Sequence, residues 1–238
     1  MTQIRTSFLQ PPTSLHKHPM NHGSEKPMGQ STLFSLLKLA FGPVVRNTWL
    51  GNVTGLENLP EVGPAIIASN HASYLDFLLL SAVSPRQVQF MAGEVFYNNL
   101  LIKKSFESMG YIPVDRGAKG NISALRKAVR KLEHGNIVAI YPEGRRSGNG
   151  ELQKARSGIG FLAIETEAPV IPVFIEGTFQ AWPRHNKLPT QHKCTILIGE
   201  PLRFCTPPDK EQRKECIHAA THEVMRAIAE LGHVPYHR

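Results

Sequence analysis

Short runs of apolar residues alternate along this chain with longer segments in which apolar positions recur every three or four residues. A short, uninterrupted apolar run is typical of a strand buried on both faces, and the longer period is typical of a helix. The pattern predicts strands at 65–69, 87–92, 111–114, 137–141, 170–175 and 195–198. It predicts helices at 31–46, 74–83, 98–109, 121–133, 157–167 and about 208–231. This alternation indicates a single α/β domain with a mixed, largely parallel sheet flanked by helices.

The N-terminal part of the chain has a different character. Residues 1–30 are polar and rich in proline and histidine, so we expect a disordered lead-in. The helix at 31–46, for which Ser31 or Thr32 could be the N-cap, is apolar over most of its circumference. It either packs into the body of the protein or dips into a lipid interface beside Trp49. The chain is therefore expected to divide into a lead-in (1–30), a membrane-associating helix (31–50) and the α/β domain (51–238).

The charge of the chain points to an anionic partner. Its formal net charge is +8, and residues 85–160 hold 13 Lys or Arg against six acidic residues. Nucleic acid, an acidic membrane and a phosphorylated substrate all fit this sign. Part of the excess is expected to form a membrane-facing basic surface, made of Lys103, Lys104, Arg126, Lys127, Arg130 and Lys131.

The helix at 121–133 is clearly amphipathic, and its basic side chains belong to that surface. The apolar side chains expected to face the core are Ile122, Leu125, Val129 and Leu132. No segment has the about 20 mostly apolar residues that a membrane span needs, and none resembles a secretory signal. We therefore expect a peripheral protein on the cytoplasmic side of a membrane.

Three polar blocks follow predicted strands: Asn70 to Asp76, Gly110 to Arg116, and Tyr141 to Ser147. In open α/β sheets, ligands usually bind at the loops beyond the carboxyl ends of the strands. The three blocks are therefore expected to converge on one cleft.

His71 and Asp76 are the candidate catalytic pair. Taken alone, His71 could be a turn residue and Asp76 a helix-capping residue. However, Asp76 stands in an otherwise apolar run from Tyr74 to Leu80, where a carboxylate is costly unless it is paired. A carboxylate that reaches back to one imidazole nitrogen would fix the tautomer and leave the other nitrogen as a base.

These blocks resemble the first three motifs of the glycerolipid acyltransferase family, which includes 1-acylglycerol-3-phosphate acyltransferases. His71 and Asp76 match the His-x-x-x-x-Asp motif of that family, and the block from Ala168 to Val173 resembles its fourth motif. The resemblance extends in the correct order over about residues 55–201. The chain departs from the pattern twice, with Tyr141 in place of the usual Phe and Arg145 in place of the usual Thr.

The resemblance implies direct acyl transfer, with His71 as the general base and Asp76 orienting it. The donor would be an acyl-CoA or an acyl-carrier protein, used as a co-substrate, and no other cofactor and no metal would be needed. The acceptor would be lysophosphatidate, giving phosphatidate. The residues implied to bind the acceptor are Asn70, Arg116, Glu143, Gly144, Arg145 and Arg146.

The implied roles of these residues differ. Arg116 and Arg146 match the arginines of the family and can form bidentate bonds to phosphate. Glu143 could bind a glycerol hydroxyl or position an arginine, and Gly144 could allow a tight turn that brings backbone amides near the phosphate. Arg145 could contact the ligand or be a surface charge.

Other readings of the sequence stay open at this point. The same pair of residues could serve an acyltransferase or transacylase on another lyso-lipid, or a hydrolase. A non-catalytic module that binds anionic lipid or nucleic acid is a further alternative, although no aromatic-rich basic stripe suited to stacking bases is present, so we expect no nucleic-acid partner. The sequence leaves the acyl-chain length and the oligomeric state undetermined.

Overall fold

The computed structural model describes residues 31–93, 104, 110–114 and 118–236. The predicted lead-in at 1–30, the predicted helix at 98–109 and the candidate residue Arg116 lie outside these described residues, apart from Lys104, which is helical and exposed. The strands in chain order are β1 (Leu50–Thr54), β2 (Ala65–Ser69), β3 (Val88–Gly93), β4 (Ile112–Val114), β5 (Ile137–Ile140), β6 (Val170–Glu176) and β7 (Cys194–Ile198). The helices are α1 (Thr32–Trp49), α2 (Leu75–Val83), α3 (Ala118–Glu133), α4 (Gly158–Thr166), α5 (Thr178–Ala181) and α6 (Lys210–Leu231).

The strands of the described chain form one sheet in the order β1-β7-β6-β2-β5-β3-β4. All neighbouring strands pair in parallel except β6 and β7, which are antiparallel. The prediction of a mixed, largely parallel sheet is confirmed. Strand β2 lies between β5 and β6, with Ile67 opposite both Ala139 and Ile171. The loops that follow β2 and β5 therefore leave the same edge of the sheet side by side.

Two hydrophobic layers cover the two faces of the sheet. Along β2, Ile67 packs with α1 and α2 on one face, whereas Ile66 packs with α3, α4 and α6 on the other. Every residue of β2 is buried, which explains why this strand has no polar alternation in the sequence. The predicted arrangement of helices on both sides of the sheet is thus confirmed.

Some local predictions differ from the structure. Strand β1 was not predicted, because it is a half-exposed edge strand whose only described partner in the sheet is β7, about 140 residues away. Ile122 was expected to face the core, and this was wrong: its side chain is 54% exposed. Leu132 is buried as predicted, and α3 also buries Ala124 and Ala128, whose small side chains allow a close approach to the sheet.

Helix α1 both packs on the body and keeps an apolar surface exposed. Phe34 and Val45 are buried, and the side chains of Lys38 and Arg46 donate to backbone carbonyls at the C-terminal end of α2. The exposed apolar side chains of α1 are Leu33, Leu36, Leu39, Phe41 and Val44. Among the described residues, no helix is long and apolar enough to cross a bilayer.

Candidate active site

The loop after β2 and the loop after β5 are bonded to each other at the carboxyl edge of the sheet. The backbone amide of Ser147 donates to the carbonyl of His71 over 2.7 Å. The backbone amide of His71 in turn donates to Glu143 Oε1 over 2.7 Å. Two of the three predicted polar blocks therefore meet in one site, as expected.

Asp76 lies in the first turn of α2 and organises the preceding loop. Its Oδ2 is 2.8 Å from Nδ1 of His71, and it also accepts hydrogen bonds from the backbone amides of Ala72 and Ser73 at 2.8 and 2.9 Å. The carboxylate is completely buried, and its other oxygen, Oδ1, has no hydrogen-bond partner among the described residues. One oxygen therefore holds both the loop and the imidazole, which satisfies the requirement that a buried carboxylate be paired.

The imidazole of His71 is oriented on one side and open on the other. Because a carboxylate accepts hydrogen bonds, the contact with Asp76 favours the tautomer in which Nδ1 carries the proton. Nε2 makes no hydrogen bond to any described residue, and the His71 side chain remains 17% exposed. Nε2 is thus available to accept a proton from a bound molecule.

Tyr141 forms one wall of the site. Its ring is stacked on the His71 imidazole, with centroids 3.9 Å apart and an angle of 14° between the planes. Its hydroxyl is buried and has no hydrogen-bond partner in the described part of the chain. Burial raises the pKa of Tyr141 well above its ordinary value, and the charge of Asp76 and the neighbouring Tyr111 raise it further. The hydroxyl therefore stays protonated beside the buried carboxylate.

Glu143 fixes the backbone of the loop after β2 at His71. Oε1 accepts from the amide of His71, and Oε2 accepts from the amide of Gln153 over 3.0 Å. The side chain is buried, and burial raises the pKa of Glu143 to about 7, although the two backbone hydrogen bonds act in the opposite direction. Glu143 thus joins the backbone of His71 to the loop after β5 through two hydrogen bonds. The expected contact of Glu143 with a glycerol hydroxyl stays a prediction.

The turn after Glu143 needs glycine. Gly144 has a φ of +71°, in the left-handed region, and a Cβ atom at this position would lie 2.8 Å from Nε of Arg156. Its amide donates to the carbonyl of Tyr141 over 2.9 Å. This turn directs the next two residues, Arg145 and Arg146, to different surroundings.

Arg146 lies against Tyr74, and Arg145 faces solvent. The guanidinium carbon of Arg146 lies 3.6 Å from the centroid of the Tyr74 ring, so the cation is held on an aromatic face next to the loop after β2. Arg145 is exposed, and its Nε donates to Gln153 Oε1 over 3.0 Å. Contact with a substrate stays a prediction for both residues.

Comparison with known proteins identifies the family. A family model described as "Acyltransferase" matches residues 51–176, which is more than half of the chain. The chain belongs to the acyltransferase family.

The similar proteins carry consistent names. A Bacillus subtilis 1-acyl-sn-glycerol-3-phosphate acyltransferase is 29% identical over 179 residues, covering 74% of this chain and 84% of that protein. A chloroplastic 1-acyl-sn-glycerol-3-phosphate acyltransferase of Arabidopsis thaliana is 29% identical over 154 residues, covering 63% of this chain. The match spans 43% of the Arabidopsis protein, so the chain corresponds to less than half of that relative.

A solved structure has the same fold. The crystal structure of the 1-acyl-sn-glycerophosphate (LPA) acyltransferase PlsC from Thermotoga maritima superimposes with a TM-score of 0.64 at 24% identity. The match covers 86% of this chain and 81% of the Thermotoga chain. The predicted α/β architecture is therefore that of a known acyltransferase structure.

Asn70 has a structural position in this member of the acyltransferase family. Its Nδ2 donates to the carbonyl of Ile175 over 2.9 Å, and its Oδ1 accepts from the amide of Ile175 over 2.8 Å. The side chain is buried between the ends of β2 and β6. The side-chain nitrogen and oxygen of Asn70 thus both bind the backbone of β6 and continue the pairing of β2 with β6 toward His71. The expected contact of Asn70 with substrate stays a prediction.

Sequence reasoning missed the aromatic and backbone groups that complete the site. It noted Tyr141 only as a departure from the family pattern, and it gave no role to Tyr74 or Ser73. Ser73 Oγ donates to the carbonyl of Trp182 over 2.8 Å, which ties the loop after β2 to the segment after α5. The proximity of Ser73 and Trp182, 109 positions apart, has no signal in a single sequence.

Proposed function

We propose that this chain transfers a fatty acyl group from a thioester donor to the free hydroxyl of lysophosphatidate, giving phosphatidate. The observation that carries the proposal is the 2.8 Å contact between His71 Nδ1 and the buried carboxylate of Asp76. The similar proteins from Bacillus subtilis and Arabidopsis thaliana are both named 1-acyl-sn-glycerol-3-phosphate acyltransferases, which supports lysophosphatidate as the acceptor. An acyl-CoA and an acyl-carrier protein both remain donor candidates, because both present the same thioester.

The chemistry follows from the open nitrogen of His71. Nε2 removes the proton from the acceptor hydroxyl while the hydroxyl oxygen attacks the thioester carbonyl carbon. The tetrahedral intermediate collapses by breaking the carbon–sulfur bond, and the departing thiolate takes the proton from the imidazolium. A positioned base of this kind contributes about 10²- to 10⁴-fold to the rate.

Two neighbours stabilise the imidazolium that forms during the reaction. Asp76 supplies a full negative charge at hydrogen-bond distance from Nδ1. Tyr141 presents the face of its ring to the imidazole, and the face of an aromatic ring attracts a cation. Glu143 and Ser147 hold the main chain of His71 from both sides, so the ring needs little reorganisation between turnovers.

Membrane association belongs to the same proposal. The acceptor and the product are lipids, and the exposed apolar side chains of α1 provide a surface that can enter a lipid interface. Arg126, Lys127 and Arg130 are exposed on α3, which covers the opposite face of the sheet from α1, so attraction of these side chains to an anionic leaflet is a separate prediction from the insertion of α1.

The experiment that tests the function follows free-thiol release from purified protein. The chain is mixed with lysophosphatidate and a long-chain acyl-CoA, and separately with an acyl-carrier-protein donor. We expect release that requires lysophosphatidate and that falls at least about 10²-fold in His71→Ala.

His185→Ala, a change at an exposed histidine, is the matched control and should retain full activity. Undiminished release by His71→Ala would exclude His71 as the base. A wild-type protein that releases no thiol with either donor would contradict the proposed reaction. Release that needs no acceptor would indicate a hydrolase instead.

A further inference from the structure

A second arginine, Arg184, stands two residues after Trp182, whose ring meets the Tyr74 ring on which Arg146 lies. Burial lowers the pKa of Arg146, and the positive charge of Arg184 lowers it further, whereas Tyr74 and Asp76 act in the opposite direction. Arg184 follows α5 and stands 38 positions after Arg146 in the sequence. Like charges repel, so an anion bound between the two guanidinium groups would offset this repulsion.

Contacts on both sides of Arg184 fix the backbone that carries it. Before it, Trp182 accepts a hydrogen bond from Ser73 Oγ over 2.8 Å, and its ring meets Tyr74 edge-on with centroids 5.6 Å apart. After it, Asn186 accepts from Trp182 Nε1 over 3.1 Å and donates its amide to Pro183. Because Tyr74 carries Arg146 on its face, the turn that holds Arg184 is tied to the ring that holds Arg146.

Neither guanidinium has an acidic partner among the described residues. The ion pairs formed among the described residues are those of His71 with Asp76, Arg213 with Glu165, and Arg226 with Glu223. Arg184 is exposed and makes no hydrogen bond to a described residue, and Arg146 makes only the contact with Tyr74. Two guanidinium groups without acidic partners, one of them held on the Tyr74 ring next to the loop of His71, are suited to an anion of more than one negative charge.

We propose that Arg184 is a phosphate-binding residue, which together with Arg146 recognises the phosphate monoester of the acceptor. This inference rests on the proposed function, and it adds a residue and a selectivity to it. A monoester carries nearly two negative charges at neutral pH and three strong acceptor oxygens, enough for both guanidinium groups. A phosphodiester carries one charge and has one of these oxygens blocked, so the pair selects lysophosphatidate over lyso-lipids with a head group on the phosphate.

The donor is the other possible source of phosphate, because coenzyme A also carries phosphate groups. The two sources are separated by measuring the KM for each substrate in Arg184→Gln, which removes the charge and keeps a long polar side chain. We expect the KM for lysophosphatidate to rise about tenfold, with the KM for acyl-CoA and kcat little changed. Arg184→Lys should recover part of the loss, since it restores the charge without the bidentate geometry.

Lys187→Gln is the matched control, because Lys187 is an exposed cation three positions further along the same segment. We also expect Arg184→Gln to narrow the preference for lysophosphatidate over lysophosphatidylglycerol, measured as the ratio of kcat/KM values. A KM for lysophosphatidate equal to that of Lys187→Gln would overturn the proposal. A rise confined to the KM for acyl-CoA would assign the arginine to the donor and would equally overturn it.

A binding measurement keeps this inference separate from the proposed reaction. Glycerol 3-phosphate should raise the thermal midpoint of the wild-type protein and of Lys187→Gln, and it should do so less for Arg184→Gln. This result can be obtained even if no acyl transfer is detected. Equal stabilisation of all three proteins would refute a phosphate site at Arg184, whatever the catalytic assay shows.

Discussion

The imidazole of His71 and the phenol ring of Tyr141 lie face to face, with centroids 3.9 Å apart. Tyr141 in turn stacks against Phe90 at 6.5 Å, and Phe90 stacks against Tyr111 at 5.5 Å. The imidazole is thus packed against a layer of aromatic rings, of which Phe90 lies in β3, Tyr111 just before β4 and Tyr141 just after β5. This layer fixes the plane of the imidazole, while Asp76 fixes its rotation within that plane.

Changes at Tyr141 should separate the stack from the hydroxyl. Tyr141→Phe keeps the ring and removes a buried hydroxyl that has no described partner, so we expect kcat to be retained and the free energy of unfolding to rise by about 1 kcal/mol. Tyr141→Leu should lower kcat, because it removes the ring face against His71. Steady-state kinetics and denaturant unfolding measure the two effects. A destabilised Tyr141→Phe would mean that the hydroxyl is hydrogen-bonded in solution.

Asp76 should affect stability and activity together. Asp76→Ala removes the acceptor of two backbone amides as well as the partner of His71, so the free energy of unfolding should fall by about 1 to 3 kcal/mol. We expect kcat to fall about 10²- to 10⁴-fold. His71→Ala should lower kcat similarly with a smaller loss of stability, because both amide bonds to Asp76 remain. Equal stability of the two variants in urea would contradict this division of roles.

Glu143 should make the stability of the protein depend on pH. Burial raises the pKa of Glu143 from its ordinary value of 4.5 to about 7 in the folded state. Between these two pH values the folded state binds more protons than the unfolded state, so the free energy of unfolding falls as the pH rises through this window. Relative to Glu143→Gln, the wild-type protein should lose up to about 3 kcal/mol between pH 4.5 and 8.

Urea unfolding of both proteins at several pH values measures this difference. Glu143→Gln carries no ionisable group at the position, so its curve supplies the pH dependence of all other groups. Parallel curves for the two proteins would show that Glu143 titrates in the ordinary carboxyl range despite its burial.

The exposed face of α1 should contribute to lipid binding. Leu39→Glu combined with Phe41→Glu places two charges where side chains are 76% and 61% exposed, so folding should be unaffected. We expect binding to vesicles of phosphatidylcholine and phosphatidylglycerol to fall at least about tenfold. The control is Val62→Glu combined with Leu188→Glu, since these two side chains are 82% and 77% exposed and lie outside α1. Equal co-sedimentation of the two double variants would exclude a specific role for α1.

The fold was largely predictable because its three central strands, β5, β2 and β6, are buried on both faces. Strand β2 and strand β5 are short apolar runs bounded by polar residues, and the structure places them near the predicted limits. Strand β1 could not be predicted, because its sequence, from Leu50 to Thr54, is neither continuously apolar nor strictly alternating. Its extended conformation depends on a distant partner, β7.

For the candidate site, the sequence determined the pairing of His71 with Asp76. The two residues are five positions apart, and a carboxylate at the start of an apolar helix has few other ways to be satisfied. The ordered motifs determined the family in the same way, because they are local patterns that the chain carries wherever it folds.

Only the tertiary structure decided which groups surround that pair. Glu143 clamps the amide of His71 across 72 positions, Tyr141 stacks on its ring, and Trp182 anchors the loop across 109 positions from Ser73. These contacts exist because β5 and β6 flank β2, so that loops far apart in the chain leave the sheet at the same edge. Local hydrophobic patterns specify that such strands form, whereas strand order depends on packing free energies summed over the whole core.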